Sequence, residues 1–175
     1  MVKERESYEG MPVFEAATSK SLEEAVQNYG GRVEKPYVVR IPEGRKAVKA
    51  GAFCNDDSVG IVLIPESVFL IGFEAFSSCE NLRRVVINGP VRSIGKSAFA
   101  DCDSLAEINL PETLTSIEYA TFDGCTSLAS IRIPDSVTSI ADAFNCCSQL
   151  KEIHIKKPEL LDDLFTDKEI KIIID

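Results

Sequence analysis

Apolar side chains return along this chain at one fixed interval. Ile71, Ile94, Ile117 and Ile140 stand 23 positions apart, and Phe76, Phe99 and Phe122 keep that spacing, with Phe144 following after 22. Cys79, Cys102, Cys125 and Cys147 form a third column. Leu82, Leu105, Leu128 and Leu150 form a fourth, and Val85, Ile108, Ile131 and Ile153 a fifth. Ile64, Ile87, Leu110, Ile133 and Ile155 close each unit. One deletion between Ile140 and Phe144 shifts every later column together, so whole units carry the register. A degenerate unit precedes these: Ile41, Val48, Phe53, Val59 and Val62 stand 23 positions before their equivalents, with Asp56 in the Cys column and Cys54 out of register. Self-similarity at this period is the signature of stacked coils. Five such units span residues 41–155.

Within a unit, Leu-x-x-Ile-x-Ile alternates, so Ile153 and Ile155 share one face and His154 takes the other, which predicts a short strand. Pro65, Pro111 and Pro134 follow the strand and stop its pairing, because proline has no N–H to donate. A second apolar pair, Val-x-x-Ile, returns the chain along the opposite side. The Ala-Phe pair and the Cys then make a turn or short helix. A single unit cannot bury its own apolar face, but stacked units cover each other. Each rung would bury about five large side chains at roughly 1.5–3 kcal/mol apiece, against a backbone-ordering cost of similar total. Stability is then cooperative along the stack, and both ends need caps.

The string Ala-Phe-x-x-Cys-x-x-Leu-x-x-Ile-x-Ile-Pro closely resembles the BspA-like class of leucine-rich repeats. It is carried by Ala75-Phe76, Ala98-Phe99 and Ala143-Phe144 with the Cys three positions later; Thr121 and Asn88 are local departures. The resemblance implies an α/β repeat solenoid, a curved right-handed superhelix. Its parallel sheet lies on the concave side, with short strands or helical turns on the convex side. It also implies a role in adhesion or protein binding and no shared catalytic residues.

Outside the repeats, residues 1–40 form an N-terminal segment and helical cap, and residues 156–175 a C-terminal helix–strand cap. Ser21-Leu22-Glu23-Glu24 reads as a capping box. Leu22, Ala25, Val26 and Tyr29 have helical spacing, and Gly30-Gly31 would end the helix. Residues 1–18 read as weakly structured or extended. Pro158 opens the second helix, with Leu160, Leu161, Leu164 and Phe165 on its apolar face, and Lys171–Ile174 reads as a closing strand.

Composition changes this picture little. The chain has 175 residues and suits one domain; 45% are apolar. Its net charge of −9 argues against nucleic acid and anionic membrane surfaces, which attract clustered Lys and Arg. No apolar run is long enough to span a bilayer. The charged start has no secretory signal. The expectation is a cytoplasmic protein, in keeping with free thiols, or a surface or secreted one whose leader was removed.

Candidate chemistry is sparse. The Cys ladder reads as small buried hydrophobes with weak S–H hydrogen bonds. Parallel Cβ vectors suit disulfides poorly, and ligands in a line cannot surround a zinc ion. Cys54 and Cys146 are the more exposed thiols. His154 is the single histidine, on an outward strand position beside Glu152. No Gly-x-Ser-x-Gly and no phosphate-binding glycine loop accompany it, and the Asp162-Asp163 pair reads as a solvated helix face. No catalytic residue, cofactor or metal is expected.

The remaining feature is the outward face of the sheet. One column there runs Arg40, Leu63, Val86, Asn109, Arg132, His154, and its neighbour runs Val38, Ile61, Arg84, Glu107, Ser130, Glu152. Ile61, Leu63 and Val86 are apolar residues that the core does not need. Either the N-terminal segment folds over them, or they form a contact patch beside Arg84, Asn109 and Arg132. The expected function is a non-catalytic scaffold binding a protein partner on this face, as a monomer or weak oligomer. The alternative is a cell-surface adhesion module that recognises a host protein or glycan.

Overall fold

In the computed structural model, residues 11–29, 34–161 and 170–174 are described, together with the backbone of 7–8. The chain opens on β1 (Ser7–Tyr8), β2 (Met11–Glu15), helix α1 (Ser19–Gln27) and β3 (Tyr37–Arg40). Strands of two series then alternate: β4 (Ala47–Val48), β5 (Val59–Ile64), β6 (Leu70–Ile71), β7 (Arg84–Ile87) and β8 (Ser93–Ile94). They continue as β9 (Glu107–Ile108), β10 (Ser116–Ile117), β11 (Ser130–Arg132), β12 (Ser139–Ile140) and β13 (Glu152–His154). A 3-10 turn, Pro158–Leu161, and β14 (Lys171–Ile173) follow.

The two series build the two sides of a solenoid. On one side the order β1-β2-β3-β5-β7-β9 makes a six-stranded sheet, and β11-β13-β14 a three-stranded one. All these pairs are parallel except the β1–β2 hairpin. The opposite side carries the narrow ladders β4-β6-β8 and β10-β12. Val62, Val85 and Ile108 fall in register across the first sheet, and Val48, Ile71 and Ile94 across the other side. Both rows point into one continuous core.

Between the two sides the chain turns at the phenylalanines. Phe53, Phe76, Phe99, Phe122 and Phe144 form a stack with centroids 5.3–5.8 Å apart. The backbone around each ring is bonded to the next rung: the Phe76 N–H donates to the Ala98 carbonyl (2.9 Å), and the Ser78 N–H to that of Ala100 (2.7 Å). Left-handed residues set this turn. Gly51, Glu74, Ser97 and Ala120 occupy one such column, φ 51–60°, and Asn55, Ser78, Asp101, Gly124 and Cys146 a second, φ 56–71°. The one-residue deletion after Ile140 falls where the first column would have its next member. Thr121, in the Ala column, is fully buried and gives its hydroxyl to the Glu118 carbonyl at 2.7 Å.

Rung approach on the narrow side is close enough to constrain residue type. A Cβ at Gly95 would lie 2.6 Å from the Phe73 nitrogen and 2.8 Å from the Gly72 carbonyl carbon, both backbone atoms. Gly95→Ala should therefore cost about 1–3 kcal/mol by overpacking. A urea midpoint equal to that of the parent would show that the rungs are more widely spaced than this.

The two ends depart from expectation. The extended N-terminal segment is part of the sheet: Val13 pairs with Val38 and Phe14 with Val39. Phe14 is buried against Tyr29 and Tyr37, with ring centroids at 5.2 and 5.4 Å. Helix α1 exists, and Leu22 enters the core with Ala25, Val26 and Tyr29 packed against it. Its cap, however, is Thr18, not Ser21. The Thr18 hydroxyl accepts from the Ser21 N–H, and the Ser21 hydroxyl accepts from the Thr18 N–H at 3.0 Å. The helix starts earlier than the Ser-x-x-Glu spacing suggested, which places Glu24 inside it, and it ends at Gln27 before the glycines. At the other end Pro158 opens a single 3-10 turn in which Leu161 is buried. Gly30-Gly31, Asp162-Asp163, Leu164 and Phe165 lie outside the described residues. The closing strand is present as β14, paired with β13.

Candidate functional site

The outward face of the wide sheet has two unlike halves. In the first, Val38 and Ile61 are fully buried and Leu63 is 8% exposed, with Met11, Val13 and Val86 packed against them. Ile61 and Leu63 therefore do not offer an exposed contact patch. β2 contributes to this: it continues the ladder outward, so Val13 packs at the flank of the row Val38–Ile61 and Met11 joins it. The Met11 sulfur also meets the Arg83 guanidinium at 3.9 Å. The N-terminal segment shares in covering what the repeats leave apolar.

The second half is open. Here a groove of about 540 Å³ runs over the rungs of β7, β9, β11 and β13, and six expected site residues line it: Arg84, Val86, Glu107, Asn109, Arg132 and His154. The sheet divides at this point, because β9 and β11 are not hydrogen-bonded neighbours. On the near side of this break, Asn109 prolongs the pairing of the β9 rung with β7. Its amide oxygen accepts from the Ile87 N–H at 2.8 Å, and its amide nitrogen donates to the Ile87 carbonyl at 2.7 Å. The side chain thus takes the place of a strand backbone, where it had been expected to face a partner. Glu152 lies beyond the groove, in contact with Lys171 at 3.3 Å.

The groove carries charge of both signs on its rim. Arg84 Nε meets Glu107 Oε2 at 3.1 Å, and Arg132 meets Glu112 at 2.7 Å. All four side chains are more than one-third exposed, so each pair contributes at most about 1 kcal/mol. A partner carboxylate or amide can displace or share such contacts at little cost. Val85, Val86, Ile108 and Ile131 supply an apolar element beneath. His154 stands in register between Arg132 and Ile173. Among the described residues no group of three His, Cys, Asp or Glu could hold a metal ion. No described helix is long and apolar enough to cross a membrane.

The Cys ladder lies in the core, away from this face. Cys79, Cys102, Cys125 and Cys147 are buried, and each thiol donates to the carbonyl of the Phe one rung back: Phe53, Phe76, Phe99 and Phe122, at 3.0–3.1 Å. All six cysteines are free thiols. Burial pushes the Cys79 thiol up to about 12. Cys146 is exposed at a left-handed turn position, φ 58°, and Cys54 is half-buried with the Asn55 amide nitrogen 3.2 Å from its sulfur. Under native conditions iodoacetamide should therefore label Cys146 first and leave the ladder untouched until the chain unfolds, as read by peptide mass spectrometry. Equal labelling of Cys102 and Cys146 would contradict the burial.

The sequence matches the BspA type leucine rich repeat region across residues 39–171, in six copies. That is one copy more than the five units read from the columns, and the match runs into the closing strand. Among solved structures, a leucine-rich repeat protein of T. pallidum is 31% identical, with a TM-score of 0.61. The alignment covers 67% of this chain and 57% of that one. A leucine-rich cell surface protein of Faecalibacterium prausnitzii is 24% identical over 78% of this chain and 59% of its own length, TM-score 0.42. The chain thus spans less than two-thirds of the length of either relative. No curated protein is significantly similar to it. Periodic columns, a two-sided parallel solenoid and a family match over most of its length agree: the chain belongs to the BspA-type leucine-rich repeat family.

Proposed function

We propose that this chain is a non-catalytic scaffold that binds a protein partner through the groove on the outer face of its wide sheet. The supporting observation is the groove itself. It places Arg84, Glu107, Arg132 and His154 around an apolar strip on four successive rungs. Interfaces favour this mixture, with arginine and apolar anchors inside and polar groups at the rim. The burial of Ile61 and Leu63 supports drawing this site on the rungs from β7 onward, with those two residues as its support.

A photo-crosslinking residue at Ser130 should capture a partner from the native cell. Arg132→Ala and Arg84→Ala should each lower capture about fivefold to thirtyfold, the effect of losing roughly 1–2 kcal/mol at an arginine anchor. The urea midpoint should stay unchanged, since both side chains are at the surface. Capture indifferent to both substitutions would place the partner elsewhere.

A further inference from the structure

The narrow side of the solenoid carries a second surface, on other side chains than the groove. Phe69, Leu70 and Phe73 on the β6 rung are 39%, 42% and 51% exposed, which makes three of the six large exposed apolar side chains among the described residues neighbours on one rung. The rungs on either side supply cations. Lys46 and Arg92 are the backbone partners of Phe69, with the Phe69 N–H donating to the Lys46 carbonyl and the Arg92 N–H to the Phe69 carbonyl, both at 2.9 Å. Lys96 follows Phe73 in the repeat column, 23 positions on. Lys46, Arg92 and Lys96 are all exposed. Lys46 lies over the Phe69 ring, 5.3 Å from its centroid. Among the described residues none of the ion pairs involves these three cations. In a chain of net charge −9, this patch sets three exposed cations around exposed aromatics, with Glu74, whose N–H donates to the Lys96 carbonyl, as the neighbouring carboxylate.

We infer that this surface docks an acidic, apolar-anchored peptide segment of a partner protein. Carboxylates would meet Lys46, Arg92 and Lys96, while an apolar side chain would cover Phe69, Leu70 and Phe73. The size of the patch favours a short peptide. Three rungs span only about 10 Å at the spacing of adjacent strands. A nucleic acid tracks a longer charged path, and the chain's overall negative charge opposes both long polyanions and anionic bilayers.

The test uses fluorescence anisotropy with the full chain and a short labelled peptide alternating Asp and Leu. Its Asn-for-Asp analogue, phosphatidylserine vesicles and single-stranded oligothymidylate serve as comparators. The acidic peptide should bind, weaken as salt rises, and outbind the Asn analogue at least about tenfold, a difference of about 1.4 kcal/mol. Lys46→Glu with Lys96→Glu should abolish binding, and Phe73→Ser should weaken it severalfold. Arg132→Ala, in the groove on the other side, should leave it unchanged, so loss of this site and loss of the proposed groove are separable. Circular dichroism should match the parent for all variants, which alter exposed side chains. Peptide binding that survives the Lys substitutions, or is absent altogether, overturns the inference. So does tighter association with vesicles or oligothymidylate than with the peptide.

Discussion

Phe99→Ala should destabilise the chain by about 3–5 kcal/mol, the cost of emptying a fully enclosed aromatic site. Phe99 has no exposed surface. Its ring stacks on Phe76 at 5.4 Å and on Phe122 at 5.8 Å, with interplanar angles of 1° and 3°. Two offset ring contacts are therefore lost beyond the buried area, each worth about 0.5–1.5 kcal/mol. The position matters as much as the side chain. In a solenoid each rung is held only by its neighbours, so a void in the middle uncouples the two ends. Phe144, tilted 12° from Phe122, lies nearer the C-terminal end of the repeats, where fewer rungs depend on it, and Phe144→Ala should cost less. In urea titrations Phe99→Ala should lower the midpoint and broaden the transition, reflecting a smaller m-value if the halves unfold separately. A loss below about 1 kcal/mol, outside the range for such a truncation, would mean that the rings do not share a packed column.

The periodic part of this architecture is readable in the sequence because every core position has its like one period away. Ile71 above Val48 and below Ile94 is a statement about register, and the 23-residue interval carries it directly. The features that escaped are those in which a residue acts outside its column. Val13 pairs with Val38 at a spacing that breaks the period. The proline beside it, Pro12, also weakens any strand reading, so the N-terminal segment's cover over Ile61 and Leu63 stood as one of two alternatives, without its strand pairing. Asn109 sits in an outward column by alternation, yet its amide turns along the sheet to the Ile87 backbone. Only coordinates show a side chain substituting for a strand. The Thr18 cap failed for a milder reason. Thr-x-x-Ser and Ser-x-x-Glu both fit a helix start, and the choice is made by where β2 delivers the chain. Cys146 lies outside the ladder because its position is a turn residue at positive φ, a column otherwise filled by Asn, Ser, Asp and Gly.

Raising the pH above the neutral range should destabilise this chain through the Cys ladder, before most lysine amines titrate. Burial is the largest cause of the upward shift at Cys79, Cys102 and Cys125 alike. Against an ordinary thiol value of 9.0, Cys79 is pushed up to about 12, and Cys102 is held well above the ordinary value. The folded thiols stay protonated over a range in which unfolded thiols ionise. Their contribution is whole below the ordinary thiol value and drains away as pH climbs toward the folded values, because the unfolded state binds fewer protons there. One pH unit above the ordinary value the loss is roughly 1.4 kcal/mol per thiol, or about 4 kcal/mol for the three together. That is a large fraction of the stability of a typical domain. Denaturation under reducing conditions at neutral pH and near pH 10 measures it. Cys102→Ala should lower stability at neutral pH, since the Phe76 carbonyl loses its thiol donor, yet flatten the alkaline slope by about one proton. Cys146→Ala, altering an exposed thiol, should leave the slope unchanged. An alkaline slope identical in parent and Cys102→Ala would mean that this thiol ionises within the fold, and hence that water reaches the ladder.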